Sequence, residues 1–290
     1  MKCFYHTDMD GKCAGAIVKE YYNNSESEKS GETYIPINYK DDFPFDSIVQ
    51  NETIVIVDFS LQKEGDFERL IQLTDKIIWI DHHKTAIEKN AHLEGKVSGV
   101  RKDGVAGCVL TWNFFFPERE VPRIVKMLGD YDIWDFSNYG NDLNVLQTGI
   151  RLYENHPESC EWRRWLEFGN KEYSLENFSE IMNKGLIALQ YRDKTWAGLI
   201  KSWSFWATFE GYKVICCNAG SVSSQLFNSV KEDFDLMMPF VFDGKQWTVS
   251  IYSTKDIDCS ELAKKYGGGG HKKAAGFQCK ELPFHEKRTD

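Results

Sequence analysis

The chain lacks an excess of positive charge, a paired-cysteine spacing and any apolar run long enough to cross a membrane. With 35 Lys and Arg against 44 Asp and Glu, its formal charge is -9, which argues against a broad basic surface for holding long nucleic acid. Short substrates or metal sites fit that balance better. The eight cysteines, Cys3, Cys13, Cys108, Cys160, Cys216, Cys217, Cys259 and Cys279, contain no CxxC pair. Reduced, mostly buried thiols are therefore expected rather than a disulfide framework. No stretch approaches the roughly 20 apolar residues of a membrane helix. Met1 to Tyr5 runs straight into His6 and Asp8, leaving no room for an apolar signal region, so the expected compartment is the cytoplasm, with no membrane partner. Internal repeats and low-complexity tracts are also missing. What is present is 290 residues with 42% apolar content, enough for more than one core.

The first half alternates short apolar runs with helical patterns, the mark of a parallel α/β sheet. Lys2 to Tyr5 reads as a strand and Gly11 to Tyr22 as the following helix. Asn23 to Gly31, polar and rich in Ser and Glu, reads as an exposed loop. Thr53 to Val57 and Lys76 to Ile80 are continuous apolar strands flanking a helical segment from Gln62 to Leu73. From about 155 to 198, aromatic and charged residues recur at helical spacing. Beyond 200 strands return, over Trp203 to Phe209, Val214 to Cys217, Leu236 to Phe242 and Trp247 to Tyr252, with a helix near Ser223 to Lys231. The expected fold class is α/β, with an N-terminal parallel-sheet domain over 1–153, a helical linker over 154–200 and a smaller C-terminal α/β substrate-binding domain over 201–290.

Each early strand ends in residues able to bind metal: His6 with Asp8 and Asp10, then Asp58, then Asp81-His82-His83. In an open parallel sheet the carboxyl ends of the strands share one edge, where ligands bind, so these residues are expected to meet. His6, Asp8 and Asp10 alternate, and on an extended strand end they would project to one side; the same string also suits a polar turn before a helix. Carboxylate with imidazole and no nearby cysteine suits manganese, magnesium, iron or zinc in a site that is not a thiolate cage. After the apolar helix Val121 to Leu128, either Asp130 or Asp132 can supply one more ligand. Near the C-terminus, Gly267 to Gly270 precede His271, Lys272 and Lys273. A glycine-rich loop lets backbone N–H groups approach an anion, and a helix starting after it would add its positive end.

HTDMDG, the strand-terminal Asp58, Asp81-His82-His83 and the Asp130 region, in that order, resemble the motifs of the DHH phosphoesterase superfamily. GGGGHKKAAGF resembles the signature of its DHH-associated substrate domain. The resemblance implies a metal-dependent phosphoesterase of the nanoRNase or RecJ-like kind, acting on short oligoribonucleotides, other short RNA or DNA oligonucleotides, or small nucleotide phosphates. A cyclic dinucleotide phosphodiesterase and a 3′-phosphoadenosine 5′-phosphate phosphatase are alternatives, as is a catalytically silent nucleotide-binding module. It also implies two divalent ions, Mn2+ first and Mg2+ or another next, about 3.5–4 Å apart with an activated hydroxide between them. His6, Asp8 and Asp58 would hold the first; Asp10, Asp58, His82 and Asp130 the second. Asp58, Asp81 and His83 would be catalytic, Asp81 orienting a histidine and His83 contacting the scissile phosphate. Gly268, Gly269, Gly270, His271 and Lys272, with His83, would bind substrate. Two departures stand out. Ser250 to Ser253 replace an arginine frequent in the strand before the glycine loop, and Lys272 stands where proline is frequent. No further nucleic-acid domain is visible, so a stable complex with long nucleic acid is not expected. Trp203, Trp206, Tyr252 and Phe277 are candidates for base stacking or core, and the oligomeric state is left open, a homodimer included.

Overall fold

The computed structural model describes residues 1–24, 31–166 and 171–286, so most of the loop expected over Asn23 to Gly31 lies outside the described residues. The chain divides into two compact units, Met1–Leu189 and Gln190–Asp290.

In the first unit, strand β1 (Lys2–His6) leads into helix α1 (Met9–Asn24) and strand β2 (Thr33–Ile37); β3 (Ile54–Val57), α2 (Asp66–Leu73), β4 (Ile77–Ile80) and α3 (Lys84–Lys89) follow. Helices α4 (Gly107–Phe115), α5 (Arg123–Asp132), α6 (Asp142–Ile150), α7 (Glu161–Trp165) and α8 (Lys171–Trp203) come after, α8 running on past the unit boundary. The four strands form one parallel sheet in the order β2-β1-β3-β4.

The period of two along each strand divides the core between the faces of the sheet. Cys3, Tyr5, Val55, Val57 and Ile80 pack on one side with residues of α1, α4 and α5. Phe4, Ile54, Ile56, Ile77 and Trp79 pack on the other with Phe67 and Leu70 of α2. Burial on both faces explains why β3 reads as an unbroken run of β-branched residues, Ile54-Val55-Ile56-Val57, all buried.

Strand β2 is absent from the sequence reading. It is an edge strand carrying Pro36 and exposed positions, and an edge strand tolerates a missing N–H on the side without a neighbour. Because β2 lies on one side of β1 and β3 on the other, the topological switch point falls between β1 and β3. That is where an open α/β sheet leaves a crevice at its carboxyl edge.

In the second unit β5 (Ser204–Phe209), β6 (Tyr212–Asn218), β7 (Leu236–Phe242), β8 (Trp247–Tyr252), helix α9 (Cys259–Lys264), β9 (Gly269–His271), β10 (Ala274–Cys279) and β11 (His285–Glu286) build one mixed sheet, order β11-β5-β6-β7-β8-β10-β9. The pair β6–β7 is parallel and the others are antiparallel. The helix expected after the glycine loop is a correction: Gly269 to His271 pair antiparallel with Ala274 to Gly276 in a hairpin, and the helix of this region, α9, lies before the glycines. The glycines themselves explain it. A Cβ on Gly268 would overlap the carbonyl oxygen of Gly276 and the Phe277 side chain, so a side chain there would prevent the hairpin from closing. Of the aromatics considered for base stacking, Phe277 is a core residue stacked on Tyr266 and Phe209.

Candidate active site

The carboxyl ends of β1, β3 and β4 converge as expected. His6 closes β1, and its Nδ1 lies 2.9 Å from Asp8 and 3.6 Å from Asp58. Asp8 sits in the turn and Asp10 in the first turn of α1. The three are therefore not aligned along one extended strand end; the helix turn returns Asp10 toward the sheet, and Asp8 accepts the Gly11 N–H at 2.9 Å as part of that turn. Asp58 follows β3 directly in a left-handed conformation, φ 53°, a region that Asp and Asn enter more readily than other side chains. His82 Nε2 lies 3.1 Å from Asp58 and 3.8 Å from Asp10.

The fourth carboxylate is Asp132, whose Oδ2 is 3.3 Å from His82 Nε2, and not Asp130. Both lie on α5, and two residues along a helix turn the side chain by about 200°. Asp130 faces Asn138 and Asp135 in the loop that follows. The ligand-competent atoms thus gather in overlapping groups: His6, Asp8 and Asp58; Asp10, His82 and Asp132; and Asp58, His82 and His83.

Asp10 is buried and held from behind by the start of α4. The N–H groups of Gly107 and Cys108 donate to its two oxygens at 2.7 and 2.8 Å, a helix N-terminus holding an anion. Gly107 has no alternative there, because a Cβ would come within 2.8 Å of the Asp58 Cβ and 2.9 Å of Asp10 Oδ2. Sequence reasoning missed this glycine, since its role is a close approach between elements some fifty and a hundred residues apart that no local pattern announces.

Tyr39 was also missed. Its hydroxyl is 2.8 Å from His83 Nε2, and its ring stacks on Phe59 and leans on His6. The signal that could have found it is β2, because the residues after that strand fall on the same sheet edge. Behind His83, Oδ1 of the fully buried Asp81 accepts the backbone N–H groups of His82 and His83 at 2.8 and 3.2 Å and contacts His83 Nδ1 at 2.7 Å.

Both oxygens of Asp58 and Nδ1 of His6 are buried without a hydrogen bond of good geometry. Four carboxylates meet, and among the described residues none of them pairs with a lysine or arginine. Burial, with the charges of Asp8 and Asp132 adding to it, pushes Asp58 up to about 8. Asp10 is raised by burial and by Asp58, Asp132 and Asp8. Burial lowers His6, but its contacts with Asp58 and Asp8 outweigh that and lift it to about 10. An arrangement this unfavourable to its own charges, with carboxylate and imidazole donors and no thiolate, fits divalent cations. Because Asp58, raised to about 8, and His6, raised to about 10, carry protons near neutral pH, a cation entering the site must expel them. Manganese affinity is accordingly expected to rise steeply between about pH 6 and pH 8, with net proton release. Calorimetric titration in buffers of different ionisation enthalpy measures both, and a flat profile would contradict the electrostatics described here.

The glycine hairpin belongs to the second unit. There Lys272 pairs with Asp256 at 2.7 Å, and Lys273 donates to the carbonyl of Lys255; His271 and Gly269 are exposed. No helix among the described residues is long and apolar enough to cross a membrane.

Residues 3–132 match the DHH family, N-terminal domain, and residues 218–289 the DHHA1 domain. An uncharacterized protein of Acanthamoeba polyphaga mimivirus is 26% identical over 264 residues, covering 84% of this chain and 58% of its own length. Oligoribonuclease NrnB of Bacillus subtilis (strain 168) is 24% identical over 299 residues, covering 94% of this chain and 71% of its own. Two solved structures share the fold. The pGpG-specific phosphodiesterase PggH of Vibrio cholerae has a TM-score of 0.54 at 11% identity, covering 96% of this chain and 93% of its own. RecJ from Thermus thermophilus in complex with Mn2+ has a TM-score of 0.51 at 14% identity, covering 96% of this chain and 49% of its own. The motifs, the sheet order and both matched domains place this chain in one class: it belongs to the DHH phosphoesterase superfamily. It spans just under three fifths of the mimivirus relative.

Proposed function

We propose that the chain is a metal-dependent phosphoesterase that hydrolyses short oligoribonucleotides from an end. The observation that carries this is the meeting of two ligand groups at one buried, unsatisfied carboxylate, Asp58. His6, Asp8 and Asp58 would hold one divalent ion and Asp10, Asp58, His82 and Asp132 a second, with manganese the first choice. Ions held there would supply a nucleophile from water near neutral pH and offset the charge that builds on the phosphoryl group.

The remaining work falls to side chains. The Gly107 and Cys108 amides fix Asp10, and Asp81 fixes the ring of His83 through Nδ1, so a phosphate oxygen reaching His83 Nε2 would take the place of the Tyr39 hydroxyl that meets it at 2.8 Å. Asp81→Asn keeps the shape but gives up the charge that orients that ring. It is expected to lower kcat about 10–100-fold with little change in melting temperature, measured by steady-state kinetics beside a thermal melt. His271 and the backbone at Gly268, Gly269 and Gly270 are proposed as a substrate-binding element of the second unit. Lys272, already paired with Asp256, is a weaker contributor to it. The similarity to an oligoribonuclease over 94% of the chain supports the short-RNA substrate, and the formal charge of -9 disfavours long nucleic acid. Retention of every ligand position speaks against a silent binding module.

The test is nucleotide or phosphate release, with manganese and with chelator, from a diribonucleotide, longer RNA, cyclic dinucleotides, 3′-phosphoadenosine 5′-phosphate and pyrophosphate. Manganese-dependent cleavage of the diribonucleotide is expected to lead the panel. A flat panel, or hydrolysis indifferent to chelator, overturns the proposal.

A further inference from the structure

Helix α5 ends in a turn of unusual composition. Its cap closes with the Trp134 N–H donating to the Tyr131 carbonyl at 3.2 Å and the Asp135 N–H to the Asp130 carbonyl at 2.8 Å. This pair of bonds defines a helix stop whose reversing residue is left-handed and usually glycine. Here that residue is Trp134, with φ 61°, in a conformation that L side chains enter at a penalty. The indole is not buried in exchange, since Trp134 is 68% exposed. It is nevertheless braced: Phe136 meets it edge-on at 5.0 Å and Tyr131 at 5.9 Å. Asp135 Oδ1 accepts both the N–H and the hydroxyl of Ser137, at 3.0 and 2.6 Å, fixing the loop beyond it.

Two residues before Trp134 stands Asp132, whose carboxylate is 3.3 Å from His82. Two extended residues span at most about 7 Å, so the backbone that presents this exposed indole lies within that reach of the backbone of Asp132, whose carboxylate lines the candidate site. Strain kept in an exposed aromatic two residues from a carboxylate of the candidate site is the kind of local penalty that a functional role sustains.

We propose that Trp134 is a stacking platform for a nucleobase of the substrate and so confers preference for nucleotides over phosphates that carry no base. The inference rests on the phosphoesterase reading for the identity of the site. Base-on-aromatic stacking contributes roughly 1–3 kcal/mol per base on truncation, which corresponds to about a 5- to 150-fold change in affinity.

The test uses the full chain with manganese and compares two probes, adenosine 5′-monophosphate and inorganic phosphate. Trp134→Gly is expected to weaken adenosine 5′-monophosphate about 10-fold or more while phosphate binding stays within about 2-fold, and to raise KM for a diribonucleotide with kcat little changed. Trp134→Phe, which keeps a ring, recovers most of the loss. A purely structural tryptophan predicts a lower melting temperature in Trp134→Gly, whereas glycine suits the left-handed position, so the expected Tm is equal or higher. Equal loss of both probes, no loss of either, a changed oligomeric state with nucleotide affinity intact, or no nucleotide binding by the unaltered chain overturns the inference. If the unaltered chain cleaves nothing but binds adenosine 5′-monophosphate in a Trp134-dependent way, the phosphoesterase reading falls and the stacking platform stands.

Discussion

Asp58→Asn is expected to reduce manganese-dependent hydrolysis by at least about three orders of magnitude, as removal of a group central to transition-state charge stabilisation does, while making the metal-free chain more stable. Both effects follow from one carboxylate. Asp58 lies 3.6 Å from His6 and 3.1 Å from His82 and is assigned to both proposed ion positions, so neutralising it weakens both together. Without metal the same carboxylate is buried among Asp8, Asp10 and Asp132 with neither oxygen in a hydrogen bond of good geometry, its contact with His6 offsets only part of the penalty, and the neutral amide removes the repulsion. The pH dependence has a definite sign. The folded-state pKa of Asp58, raised to about 8 from 3.8, lies above its unfolded value, so the native chain binds the extra proton. The metal-free protein therefore loses stability as pH rises between those values. The Tm advantage of the variant should be small near pH 4 and grow to several degrees near pH 8. Asparagine is the better substitution because Asp58 is left-handed; alanine there adds a backbone penalty of about 1–2 kcal/mol that would blur the result. Thermal melts with and without manganese at the two pH values decide it. A variant that still gains Tm from manganese as the unaltered chain does would refute the shared-ligand role.

The second large effect separates two neighbours on one helix. Asp132→Asn is expected to cost about 100-fold or more in turnover, with weaker manganese binding, whereas Asp130→Asn stays within about 2-fold, as surface substitutions away from special features do. The contrast comes from the helical turn between them, which sends Asp132 toward His82 and Asp130 toward Asn138. Parallel kinetics and metal titrations of both variants check it, and the reverse ranking would put the fourth ligand at 130.

The motifs before Asp130 were legible because each stands at the end of a strand with a strong local signature. Four β-branched residues before Asp58 and the apolar run before Asp81 have no other economical reading, and parallel strands bring their carboxyl ends to one edge. Asp130 and Asp132 could not be separated, because the sequence shows where a helix lies more readily than the residue at which it faces a partner. Strand β2 escaped because an edge strand is half exposed and tolerates Pro36, so its periodicity is weak. Tyr39 escaped with it. Gly107 left no trace at all, since its requirement is the space between Asp10 and Asp58, two residues it does not approach along the chain. The glycine hairpin was misread as a loop before a helix because both use glycine, one for reach toward a ligand and the other for room against β10.

By itself, the sequence determined the α/β class, the order of the metal-binding motifs and the superfamily, because hydrophobic period and residue chemistry are local properties. Only the tertiary structure decided that Asp132 rather than Asp130 joins His82, that the α4 amides hold Asp10 and that Tyr39 rests on His83. Those contacts depend on the rotation of helices and the approach of elements far apart in the chain, and these are set by packing across the whole core.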